Sequence, residues 1–179
     1  RWLADAGYLA FKPGERGTDS LFEGVDWSKT SAFALGLNGL FVNQQGREPQ
    51  GIVSVEDTAA LKAEIAMRLL EAVDPESGDS LVRQVFDRDD VYPGLANADA
   101  PDLVIGYEKN YRASWQTTLG GTPPVLVEVN RQKWSGDHCI DPSLVPGVLF
   151  TSFPLSSEVN NIQDVPRLIL QLLETQTGG

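Results

Sequence analysis

One cysteine, one histidine and one methionine occur in 179 residues. A single cysteine excludes an internal disulfide framework, and the expected setting is a reducing cytoplasm, with the periplasm left open. One cysteine and one histidine also cannot complete a zinc site on their own. There is no Cys-x-x-Cys and no Gly-rich phosphate-binding fingerprint. No apolar run approaches the length of a bilayer, and no basic region followed by an apolar stretch marks a signal peptide. Positive charge is scarce too: 14 Lys and Arg face 25 Asp and Glu, a net charge of -11 with a pI near 4.4. The phosphates of nucleic acid or of an anionic membrane would be repelled, so neither is an expected partner. The lone methionine, Met67, falls inside a helical pattern and the chain opens at Arg1. It therefore reads as a piece of a longer protein.

What is present suffices for one domain over 1–179, since 41% of the residues are hydrophobic. Two segments carry helical periodicity. In the first, Leu61, Ile65, Ala66, Leu69, Leu70 and Val73 form an apolar stripe, with Lys62, Glu64, Arg68 and Glu71 opposite. Ser54 and Asp57 start it, and Pro75 with Gly78 ends it. In the second, Val165, Leu168, Ile169, Leu172 and Leu173 keep helical spacing after a cap at Asn161 or Asp164, with Pro166 in the first turn. Strand-like runs lie at 32–37, 40–43, 80–87, 101–107, 125–129 and 148–152, and a short opening helix stops at Gly7. Strands interleaved with helices indicate an α/β layer arrangement.

Chemistry-bearing residues gather in Lys133-Trp134-Ser135-Gly136-Asp137-His138-Cys139-Ile140-Asp141-Pro142. Histidine changes charge near neutral pH and is the commonest metal ligand; a solvated, hydrogen-bonded imidazole is the plain alternative. His138 and Cys139 are sequence neighbours on an extended segment and so point apart, which argues against a nucleophile–base pair. Arg47 can grip an anion with two parallel donors, or equally pin its own loop by pairing with Glu48 or a neighbouring carboxylate. Trp115 lies in a Ser/Thr/Gly-rich stretch that is either a binding loop or a surface connection. Asp87, Asp89 and Asp90 lack the central Gly and closing Glu of a calcium loop and read as a solvated turn.

Taken in order, several segments resemble the alkaline phosphatase superfamily. They are Trp2-Leu3, Gly7-Tyr8-Leu9, 27–30, 32–43, Gly46-Arg47-Glu48-Pro49-Gln50-Gly51, Pro101-Asp102-Leu103, Gly136-Asp137-His138, and Ile162-Gln163-Asp164-Val165-Pro166 before an apolar helix. Within the superfamily the similarity is to type I phosphodiesterase/nucleotide pyrophosphatase-like proteins, including predicted phosphohydrolases or phosphomutases. It spans nearly the whole chain, and the Gly46–Gly51 loop and the Gly-Asp-His turn are its most specific parts.

The resemblance implies a fold: the C-terminal portion of an alkaline-phosphatase-like layered sheet with flanking helices. It implies a parent protein that hydrolyses small-molecule phosphoesters with two divalent metal ions, zinc or manganese, at the C-terminal edge of its central sheet. His138 would be one metal ligand and Asp137 would orient it, with Lys29, Arg47 and Trp115 in the substrate cleft. In that family the nucleophile, the early aspartate ligand and an Asp-His-Gly metal motif lie upstream, and this chain has none of them. The expectation is therefore a fragment with no catalytic residue of its own, an incomplete metal site and no activity in isolation. A sheet cut in this way would expose a strand edge and favour self-association. The alternative, from a different class, is a non-catalytic interaction domain on the same scaffold.

Overall fold

The computed structural model describes residues 1–17, 21–92, 99–131, 133, 140–152, 154–155 and 158–177. The chain divides into two compact units, Arg1–Leu144 and Val145–Gly179. Short apolar runs in the first unit form four strands, β1 (Ala32–Leu35), β2 (Gly39–Val42), β3 (Val82–Asp87) and β4 (Leu103–Tyr107). They make one sheet in the order β1-β2-β4-β3, with every pair antiparallel. Mixed helix and strand is thus what the chain adopts.

The hairpin register sets the geography of the sheet. β1 and β2 pair from Ala32–Val42 to Leu35–Gly39, and Gly36 opens the turn with a φ of +79°, a conformation that costs glycine little. β2 meets β4 through Gly39–Val104 and Leu40–Leu103. Beyond that overlap, the Asn38 carbonyl accepts from the Ile105 N–H and the Asn38 amide donates to the Ile105 carbonyl, both at 3.0 Å. The hairpin turn therefore shares one end of the sheet with the C-terminus of β4. The opposite end holds the start of β1, the end of β2 and the start of β4.

α2 (Val55–Leu70) begins where Ser54 Oγ accepts the Asp57 N–H at 3.0 Å and the Ser54 hydroxyl donates to the Asp57 carboxylate at 2.7 Å. Ile65 and Leu69 are buried in a core shared with Leu3, Leu40, Val82, Leu103 and Ile105. Here the periodicity reading needs correction. Lys62, expected on the polar side, is only 8% exposed, whereas Leu70 and Val73, expected in the buried stripe, are exposed. The physical reason is a salt bridge: Lys62 Nζ reaches Asp87 Oδ2 at 2.7 Å, so the apolar stem lies along the helix–sheet seam with its charge paired.

The smaller elements follow local capping. α1 (Trp2–Asp5) ends before Gly7 at φ +86°. Residues expected as an acidic turn form α3 (Arg88–Val91), capped by the Asp87 carboxylate accepting the Asp89 N–H at 3.0 Å. α4 (Trp115–Thr118) starts at Ser114, whose Oγ accepts the Thr117 N–H at 3.1 Å. Residues 125–129 and 148–152 are not strands. β-propensity expresses side-chain packing on neighbouring strands, and here Val129 and Val148 stay exposed and Phe150 is 88% exposed.

In the second unit a 3-10 turn, Ile162–Asp164, leads into α5 (Val165–Thr177). Asn161 accepts the Gln163 N–H at 2.8 Å, and the Asp164 carboxylate accepts the Asn160 and Asn161 N–H groups at 3.0 and 3.1 Å. Among the described residues no helix is long and apolar enough to cross a membrane.

Candidate functional site

At the end of the sheet where β2 finishes, the 44–51 loop folds back on itself. Gln44 accepts the Glu48 N–H at 3.0 Å and Gly51 donates to Glu48 at 3.1 Å. A Cβ on Gly51 would sit 2.0 Å from the Gln44 carbonyl oxygen, so only glycine fits there. The fold thereby turns Arg47 inward. Its Nη1 donates to Asp102 Oδ1 at 2.8 Å, its Nη2 to Asp102 Oδ2 and the Val42 carbonyl, and its Nε to Glu48 at 2.9 Å. Asp102 is fully buried and also accepts the Val42 N–H at 2.7 Å, with Arg88 Nη1 at 3.2 Å. The Asp102 carboxylate raises the Arg47 guanidinium above its ordinary pKa, and burial opposes it. Every Arg47 nitrogen is engaged within the protein, in bonds that pin the loop to β2 and β4.

Lys29 belongs to the same end of the sheet. It closes a 3-10 turn, Trp27–Lys29, and pairs with Asp26 at 3.4 Å while its side chain stays largely exposed. The buried Asn43 amide ties that turn to the Arg47 loop, donating to the carbonyls of Trp27 (3.2 Å), Thr30 (2.8 Å) and Gln50 (3.0 Å). The structure thus brings the segments of Lys29 and Arg47 together.

Trp115 lies elsewhere. Gly36 N–H donates to the Thr118 carbonyl at 3.2 Å, which sets α4 at the hairpin-turn end. The Trp115 ring is exposed, with the Arg112 guanidinium 4.8 Å above it. At that end Ile140 also joins the sheet, bridged in parallel to Tyr107. Asp102 and Tyr107 bracket β4, which at about 3.3 Å per residue separates the two ends by roughly 17 Å. Trp115 therefore shares an end with Ile140, and Lys29 and Arg47 do not.

Asp141, next to Ile140, precedes the short 3-10 turn Pro142–Leu144. It is fully buried. Its Oδ1 accepts the Ser143 N–H at 2.9 Å and the Ser143 hydroxyl at 2.5 Å, and Arg83 Nε stands 3.9 Å away. Among the described residues its Oδ2 has no hydrogen-bond partner, and it lies against Gly106, where a Cβ would come within 2.4 Å of it. A carboxylate followed by proline at the start of a short helical turn is a capping signal, and that was the one trace of this role in the sequence. Asp102 and Asn43 left weaker traces, since each acts on segments distant in sequence.

His138 and Asp137, the expected ligand and its orienting partner, lie outside the described residues, as does Cys139. No family model, curated protein or solved structure matches the chain. A metal pair needs several carboxylate and imidazole donors within reach of one another. Among the described residues no group of three or more His, Cys, Asp or Glu side chains is placed to hold a metal ion, and Asp141 Oδ2 is a single donor on a carboxylate whose other oxygen faces Arg83. The described residues do not assemble the donor set of a two-metal centre.

Proposed function

We propose that the chain is the C-terminal part of a metal-dependent phosphoric-ester hydrolase of the phosphodiesterase/nucleotide pyrophosphatase kind, working in the cytoplasm and inactive without upstream residues. The supporting observation is where the Gly136-Asp137-His138 stretch leads. It runs into Ile140, which is bridged in parallel to Tyr107 at the C-terminal end of β4; the resemblance places the reaction at strand C-termini, and in this antiparallel sheet that end carries the C-terminus of β4 beside the N-termini of β2 and β3. In this reading His138 supplies one imidazole to a site completed by upstream groups, and Asp137 orients it. Asp141 fixes the backbone just beyond, through its hydrogen bonds to Ser143 and the Asp141 N–H donated to the Tyr107 carbonyl at 3.2 Å. Trp115, at the same end, borders the substrate. Arg47 and Lys29, at the other end, hold the scaffold.

The test uses the protein with its upstream segment. His138→Ala is expected to lower phosphodiester hydrolysis at least about 100-fold, since even the outer partners of a ligand cost about 10–100-fold. The unfolding midpoint should stay unchanged. Full activity in that variant would overturn the ligand assignment. For the 179-residue chain alone, calorimetric titration should show no tight binding of two zinc ions. Tight binding, or hydrolysis of bis(p-nitrophenyl) phosphate that survives His138→Ala, would overturn the fragment reading. A longer protein that folds yet hydrolyses no phosphoester would leave the interaction-domain alternative.

A further inference from the structure

Helix α2 is apolar over far more of its circumference than the core uses. Its buried line runs through Lys62, Ile65 and Leu69, with Ile65 fully enclosed and Leu61 half-buried beside them. A second line, Val55, Ala59, Ala63, Met67 and Leu70, is exposed along its whole length. At about 100° per residue those five positions fall within an arc of roughly 120°, adjoining the buried one. Met67 is 61% exposed and Val55 62%. Charged residues Asp57, Glu64, Arg68 and Glu71 occupy the remaining sector, and Glu56 enters the apolar arc only in the first turn. An exposed apolar arc this wide is what an interacting helix face requires, because a surface helix normally turns a polar side to water.

The surroundings say what would cover it. On one flank stand the exposed carboxylates of Glu64 and Glu71, with Glu56 at the N-terminal end of the line. On the other, the Lys62 contact brings up Asp87 and Asp89, the latter at 3.8 Å, with Asp90 exposed beside them. Both flanks are thus net negative, on a chain of net charge -11. A second copy would set these carboxylates against their like, and an anionic bilayer would be repelled. The small Ala59 and Ala63 allow a close helix approach, while Met67 adapts to irregular apolar shapes. We infer that this face docks a cationic amphipathic helix of a partner protein, with apolar residues seated on the Ala59–Ala63–Met67–Leu70 line and Lys or Arg facing the acidic flanks. This goes beyond the hydrolase reading and does not depend on His138.

The test is fluorescence anisotropy with the whole chain and two labelled synthetic helices of about 20 residues, sharing one Leu/Ala face and carrying either Lys or Glu on the other. The Lys peptide should bind with micromolar affinity, more weakly as salt rises, and the Glu peptide should not bind. Met67→Glu should weaken binding at least about tenfold, although it adds negative charge; Met67→Leu should keep it. Circular dichroism serves as the folding check, and Ala63→Glu is the second variant should Met67→Glu fail to fold. Unchanged affinity in a folded Glu variant would show that bare charge attraction is at work and overturn the proposal. Equal binding of the Glu peptide, or no binding of the Lys peptide, would do the same. Dimerisation in sedimentation that Met67→Glu abolishes would assign the face to a second copy instead.

Discussion

Asp102 has no exposed surface and four donors converge on it: Arg47 through two nitrogens, Arg88 and the Val42 N–H. Removing that carboxylate leaves two guanidinium groups short of a counter-charge and a backbone donor without an acceptor. Breaking a buried pair from one side typically costs about 3–5 kcal/mol. Arg47 and Arg88 keep some contact with water, at 24% and 17% side-chain exposure, so Asp102→Ala is expected near the lower end of that range. Urea unfolding checks it: the midpoint should fall while the slope stays constant. Arg47→Ala should cost less, because Arg88 still pairs Asp102. A loss in Asp102→Ala no larger than in Arg47→Ala would show that the carboxylate is not the hub. At this scale the sequence was half legible. Arg47 beside Glu48 advertised a loop pin, but its main partner lies 55 positions away and becomes a neighbour only when β2 pairs with β4.

Among elements, the α2–β3 seam carries a pH signature. Burial pushes the Asp87 carboxyl up, but the Lys62 ammonium and the Asp89 N–H more than reverse it, so the folded pKa lies below the ordinary value. A depressed carboxyl adds stability that is present above the unfolded pKa, near about 3.9, and lost as pH falls through the folded one. Unfolding free energy should therefore decline more steeply with acid in the native chain than in Lys62→Met, the two curves converging below about pH 4. Parallel curves across that window would show the pair to be without influence. α2 and α5 were legible because periodicity and caps are local. The face that α2 buries was not, since a paired lysine outcompeted Leu70 and Val73 for the seam. Runs 125–129 and 148–152 show the same limit from the other side: propensity alone makes no strand, and Leu126 and Val127 pack on the core without forming one.

For the whole molecule, charge is the property that sequence settles best, because it needs no geometry. With 25 acidic against 14 basic residues, duplex DNA at physiological salt should bind more weakly than the roughly 10⁻⁴–10⁻⁶ M of ordinary non-specific binders. Filter binding checks this, and saturable binding in the micromolar range would contradict it. Strand order is the property sequence settles least. The β1-β2-β4-β3 arrangement depends on a pairing of β2 with β4 across some sixty intervening residues, for which no local signal exists. The antiparallel run of β4 against β2 in turn puts the Lys29 and Arg47 segments at one end of the sheet and Trp115 with Ile140 at the other.

The Asn43 amide bears on chemical ageing. Asparagine slowly loses ammonia when the next backbone nitrogen attacks its side-chain carbon, and the product aspartate would turn an anion toward three carbonyl oxygens now held by one NH₂. Two features guard against it: the side chain is 1% exposed, and the Gln44 N–H that would attack is bonded to the Val42 carbonyl at 2.8 Å. The same contacts that join the two loops thus slow the decay of the residue that joins them. Once the sheet end opens, that protection is gone, so a chain held long in a partly unfolded state would acquire a defect that refolding cannot repair.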